Sequence, residues 1–158
     1  MKFSVNREAL LRPLTIVAGA VERRQTMPIL SNLLIIASGN KLVITGTDLE
    51  VELSATIILD DAAETNGDIT VPARKFVDIC KSLPDSCDIS FSLDQGKAVV
   101  KSGRSRYTLA TLAAADFPSV QKDESSFSAT VNQGDFAQLI DRTAFSMAQQ
   151  DVRYYLNG

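Results

Sequence analysis

The chain has 158 residues, 45% of them apolar and 22% charged, and a net charge of −3. That is the make-up of one well-buried soluble domain, or of one domain and part of another, and it excludes a disordered chain. No apolar run approaches bilayer-spanning length, no histidine is present to act as a general base, and two cysteines without further ligands exclude a zinc site.

In chain order, MKFSVNREALLRPLTIV begins with a short extended segment and passes into a helical stretch, with Asn6 placed to cap it. Ala18-Gly19-Ala20 imitates a cleavage site, but Glu8, Arg12 and Pro13 interrupt what would be a leader, so the expected compartment is the cytoplasm. Leu33 to Ile36 is apolar on both faces and predicts a strand covered twice, followed by a turn at Gly39-Asn40. Val51, Leu53, Ala55 and Ile57 alternate with Glu52, Ser54 and Thr56, which predicts a half-buried strand. TVPARKFVDICKSL repeats the opening pattern. Pro72 suits the first helical position, Phe76, Ile79, Cys80 and Leu83 keep helical spacing, and Pro84-Asp85 ends the helix. Ile89, Phe91 and Leu93 alternate with Ser90, Ser92 and Asp94, and Gln95-Gly96 reads as a turn. TVNQGDFAQLIDRT repeats the pattern a third time, with Asn132 as its cap. The chain then reaches QQDVRYYLNG, where Asn157-Gly158 is a hairpin signal with no strand after it.

The three strand-to-helix stretches align on Val5, Val71 and Val131, 66 and 60 residues apart. Five residues on stand Leu10, Phe76 and Phe136; nine on stand Leu14, Cys80 and Ile140. The expected fold is therefore α+β: two pseudo-symmetric β-α-β-β-β halves over residues 1–125, with helices on one face of mainly antiparallel sheets. A polar link at 121–126 leads into residues 126–158, read as the incomplete start of a second domain, strand and helix only. Its helix would turn Phe136, Leu139, Ile140 and Met147 toward a core whose other strands are missing, an expectation of exposed apolar surface.

Charge is segregated. Residues 42–73 carry seven acids and no base, and residues 95–115 carry four bases and no acid. These are either solvated sheet faces or complementary surfaces that meet an acidic partner or another copy of the chain. The glycines are scattered and form no phosphate-cradling loop, and the carboxylates of TDLEVE lie on the outer face of an alternating strand. No reactive groups converge, so the expectation is a protein that is not an enzyme, with no catalytic residues, no metal and no cofactor.

Six stretches, MKFSVNREALLRPL, TMPILSNLL, TGTDLEVEL, VPARKFVDICKSLP, SGRSRYTLATLAAADFP and DVRYYLNG, together resemble the bacterial DNA sliding clamp family, the beta subunit of DNA polymerase III. The match runs in order over the whole chain. The resemblance implies a clamp fold of three similar domains per subunit, each of two halves, with two subunits closed head to tail around duplex DNA. It implies a processivity factor that slides without sequence preference and tethers the replicative polymerase, the clamp loader and other proteins with clamp-binding motifs. It places DNA contacts at Arg24, Arg74, Gln150 and Tyr154. It places the dimer interface at Lys75, Arg104, Arg106, Tyr107 and Leu109, and part of a partner-peptide pocket at Arg153, Tyr155 and Leu156. The plainer alternatives are solvated arginines, packed tyrosines at an ordinary strand start, and a non-enzymatic α+β protein-interaction module that does not act on DNA.

Overall fold

The computed structural model describes residues 1–21, 27–118, 129–149 and 151–157. The chain divides into two compact units, Met1–Val120 and Gln121–Gly158. The first unit follows the expected order twice. Its first half comprises β1 (Lys2–Asn6), α1 (Arg7–Val17), β2 (Asn32–Ser38), β3 (Lys41–Thr47) and β4 (Glu52–Ile58). The second comprises β5 (Gly67–Pro72), α2 (Ala73–Ser82), β6 (Asp88–Asp94), β7 (Lys97–Ser102) and β8 (Ser105–Ala110).

Local chemistry sets most boundaries. The Asn6 carboxamide accepts the Glu8 N–H at 3.0 Å, satisfying an orphan donor at the start of α1. Pro72 stands one residue earlier than expected: it is the last residue of β5 and the N-cap of α2, where its missing N–H costs nothing. Gln95 and Gly96 (φ +46° and +73°) make the two-residue turn from β6 to β7, since two successive left-handed residues match the twist of the flanking strands. Val51 departs from the expected alternation: it lies exposed in the β3–β4 turn, which Asp48 organises by accepting the Val51 and Glu50 N–H groups at 2.7 and 3.0 Å. These bonds, Val51's first, hold the Asp48 carboxyl below its usual range.

Both sheets are antiparallel, with strand orders β1-β6-β7-β8 and β4-β3-β2-β5. The first strand of each half thus completes the sheet of the other half. Val5 stands opposite Ile89, and its repeat counterpart Val71 stands opposite Leu33. Single bridges tie the sheets together, Lys2 to Thr65 and Thr70 to Leu112. At the second, the buried Thr70 hydroxyl accepts from the Asn32 amide at 2.9 Å and donates to the Leu112 carbonyl at 2.9 Å, so two buried polar side chains are satisfied.

The repeat positions Leu10, Leu14, Phe76 and Cys80 enter one core between helices and sheets, together with Phe3 stacked on Phe91 at 5.0 Å. A smaller cluster of Ile29, Leu30 and Phe117 covers Leu34 on the opposite face of β2. Double coverage of that strand therefore holds at Leu34, whereas Ile36 is exposed. At the end of α1 the backbone comes close to β3: a Cβ on Gly46 would lie 2.9 Å from the Val17 carbonyl and 3.0 Å from Leu33 Cδ2.

Arg7 locks the two helices together. Its Nε donates to the Cys80 carbonyl at 2.8 Å and its Nη1 pairs with Asp85 at 2.6 Å, capping the C-terminus of α2 from the first turn of α1. Cys80 is fully buried, and that burial pushes its thiol up from 9.0 to about 12.

In the second unit, α3 (Gln133–Ala144) is capped by the Asn132 carboxamide, which accepts from Gly134 at 2.8 Å and Asp135 at 3.3 Å. The strand expected before it is not present among the described residues, where 129–132 make no ladder. Phe136 and Ile140, equivalent to the buried Leu10 and Leu14, are 54% and 50% exposed.

Four outcomes are expected. Gly46→Ala lowers the unfolding free energy in a denaturant titration by about 1–3 kcal/mol, because the added methyl meets backbone. In the native chain one thiol, Cys87, reacts with a disulfide reagent and Cys80 reacts only after unfolding. The stability held by the neutral Cys80 thiol is complete below its unfolded value and falls as pH rises toward about 12. Light scattering shows the apparent mass rising with concentration, and Leu139→Asp reduces the rise.

Candidate nucleic-acid and partner interfaces

Helix α2 has a buried side made by Ala73, Phe76, Val77 and Cys80, which leaves Arg74, Lys75, Asp78 and Lys81 exposed. Arg74, Asp78 and Lys81 lie at i, i+4 and i+7, so they share one stripe. That stripe borders an open groove of about 490 Å³, whose opposite wall is the end of α1 with Thr15 and Gly19, closed at one side by Ser31. Among the described residues, Arg74, Lys75 and Lys81 make no ion pair. Arg7, a base on the neighbouring helix, is instead engaged as a cap, with only 11% of its side chain exposed. The groove thus offers two cations, Arg74 and Lys81, that make no ion pair among the described residues. Arg24 lies outside the described residues.

Strand β8 is an edge of its sheet, bonded along its length to β7 alone among the described strands. Arg104 sits in the β7–β8 turn, and Arg106 projects from the solvent face opposite Lys101. Tyr107 is half-buried against the core, and Leu109, at 4% exposure, belongs to the core itself. Along β8, Arg106 thus faces outward and Tyr107 and Leu109 inward, while Arg104 stands before the strand begins. What this edge offers another chain is its backbone and Arg106. Lys75 stands exposed on α2, beside rather than within the groove.

In the second unit the expected strand with an Asn-Gly hairpin is replaced by a closed turn. Tyr154–Leu156 forms a 3-10 turn, and the Ala148 N–H donates to the Leu156 carbonyl at 2.8 Å. Asn157 secures it through both ends of its carboxamide, which meet the Asp151 N–H and carbonyl at 3.1 Å each. Among the described residues of this unit, local side-chain bonds stand where a ladder was expected. Asp151 also clasps Arg153, accepting from Nε at 3.1 Å, Nη2 at 2.9 Å and the Arg153 N–H at 2.8 Å. This clasp holds the Asp151 carboxyl below its usual titration range and the Arg153 guanidinium above its own, each chiefly through the shared side-chain bonds. Tyr155 is exposed and Leu156 borders on exposure. The turn places Tyr154, but its side chain and all of Gln150 and Gly158 lie outside what is described.

Sequence reading missed Asp78 and Asp151. The first could have been found from its four-residue spacing after Arg74, and the second from the Asp-x-Arg spacing that an Asx-type turn permits.

Residues 1–121 match the family model described as DNA polymerase III beta subunit, N-terminal domain. The beta sliding clamp of Pseudomonas aeruginosa is 58% identical over all 158 residues, which cover 43% of its length. The crystal structure of the DNA polymerase III subunit beta from the same organism superposes with a TM-score of 0.94 at 56% identity, covering 100% of this chain and 43% of that one. The Caulobacter crescentus pol III beta structure gives 0.92 at 42% identity, with 100% and 42% covered. The chain thus spans less than half the length of these relatives. On a family match over most of its residues and a shared fold, the chain belongs to the family of DNA polymerase III beta subunits, the bacterial sliding clamps.

Proposed function

We propose that this sequence forms part of a processivity factor: a ring subunit that encircles duplex DNA, slides without reading sequence, and tethers the replicative polymerase. The observation that carries this reading is the groove between α1 and α2, where Arg74 and Lys81 present charge that no acid among the described residues pairs. Cations of this kind hold phosphates through charge alone and carry no base specificity. Arg24, Gln150 and Tyr154 join Arg74 as DNA contacts.

Residues 1–125 form the first clamp domain and residues 126–158 the opening of the second. The edge of β8, with Lys75, Arg104, Arg106, Tyr107 and Leu109, is the first-domain side of a head-to-tail homodimer. Leu109 serves it by shaping the strand from within, and Arg106 by setting register against an acidic edge. Arg153, Tyr155 and Leu156 contribute to a pocket for short peptide motifs of the polymerase, the loader and other clamp-binding proteins. The protein has no catalytic activity of its own and acts in the cytoplasm; among the described residues no helix is long and apolar enough to cross a membrane.

The test is retention on DNA by the full-length polypeptide carrying this sequence. After loading, it stays on a nicked circle and is lost from the same DNA once linearised. Equal loss from both forms would favour an interaction module that does not act on DNA.

A further inference from the structure

The groove contains an acid as well as its two bases. Asp78 lies one helical turn from Arg74 and one from Lys81, on the same stripe of α2 and in the wall of the same groove. The bases stand about 10 Å apart along the axis, so any phosphate held by either one also lies near the carboxylate. Asp78 makes no ion pair with either base. Its charge therefore acts on the groove as a whole rather than cancelling one partner.

The hydroxyls on the walls do not add to the grip. Thr15 Oγ1 already donates to the Leu11 carbonyl at 2.8 Å and Ser31 Oγ to the Pro28 carbonyl at 2.6 Å. Each has only lone pairs left to present, and phosphate oxygens are acceptors too. The groove thus has two exposed cations, spent hydroxyl donors and a negative charge on the stripe between the cations.

From this arrangement we infer that Asp78 is an affinity-limiting residue that keeps the phosphate grip loose. It repels the backbone enough that Arg74 and Lys81 hold a duplex only briefly before exchanging one phosphate for the next. The inference rests on the DNA-binding reading above and adds to it a residue that opposes binding. A surface built for tight attachment would place no carboxylate there.

The test uses the full-length polypeptide carrying this sequence and a short fluorescent duplex of mixed sequence, followed by anisotropy across a series of low salt concentrations. Asp78→Asn is expected to tighten binding about threefold, the effect of removing one repulsive charge within a Debye length of a phosphate. Arg74→Gln weakens binding and flattens the salt dependence by about one counterion. Asp68→Asn, which removes an exposed acid from β5 outside the groove, controls for net charge, and thermal melting checks that each variant folds. If Asp78→Asn tightens binding no more than Asp68→Asn does, the inference falls while the DNA reading stands. If Arg74→Gln binds like the parent chain, or no variant binds at the lowest salt, the DNA reading falls and takes the inference with it.

Discussion

Because Val5 stands opposite Ile89 and Val71 opposite Leu33, each half of the first unit is completed by a strand from the other. The helix that follows each of these strands must then start at the seam between the halves. This brings α1 and α2 side by side over one core, close enough for Arg7 at the start of one to cap the end of the other. The charge-assisted bonds of such a cap contribute about 1.5–3 kcal/mol apiece at most. Its more specific effect is to fix how far one helix can slide along the other. The groove beside Arg74 inherits its width from that fixed spacing.

Residue type alone does not say which base is available to a ligand. Arg7, Arg74 and Lys81 all lie on these two helices, and their fates differ through what surrounds them. Arg7 meets two carbonyls and a carboxylate and is enclosed; Arg74 and Lys81 meet solvent across an open groove. An overall negative charge is no obstacle to nucleic-acid contact when the positive potential is concentrated on one wall.

Much of the fold was legible because its signals are local. Period-two alternation at Ile89 and Phe91 and helical spacing at Phe76, Cys80 and Leu83 coincide with full burial, and Leu93 and Ile79 pack partly buried against the same core. The exchange of first strands was not legible, since alternation in β1 says which face is buried and nothing about which strand lies beside it. The ending misled for a related reason. Tyr154, Tyr155 and Leu156 have strand propensity, but propensity yields to local bonds where no ladder is on offer, and Asp151 and Asn157 supply those bonds. Of the candidate site, Arg74 could be named from the sequence, and the four-residue spacing to Asp78 stands there too, but only the shared groove gives Asp78 and Lys81 a place in the site.

The reciprocal placement of β1 and β5 also bears on how such a domain could have arisen. A lone β-α-β-β-β unit would leave its three-stranded sheet open on one side and its own first strand without a neighbour. It would reach the same packing by associating with an identical copy, each giving up its leading strand to its twin. Fusing two such copies end to end would turn that intermolecular trade into an internal one with little change in contacts. The later drift of sequence between the halves, Leu10 facing Phe76 and Leu14 facing Cys80 in the alignment, then needed only to conserve the volume of a shared interior.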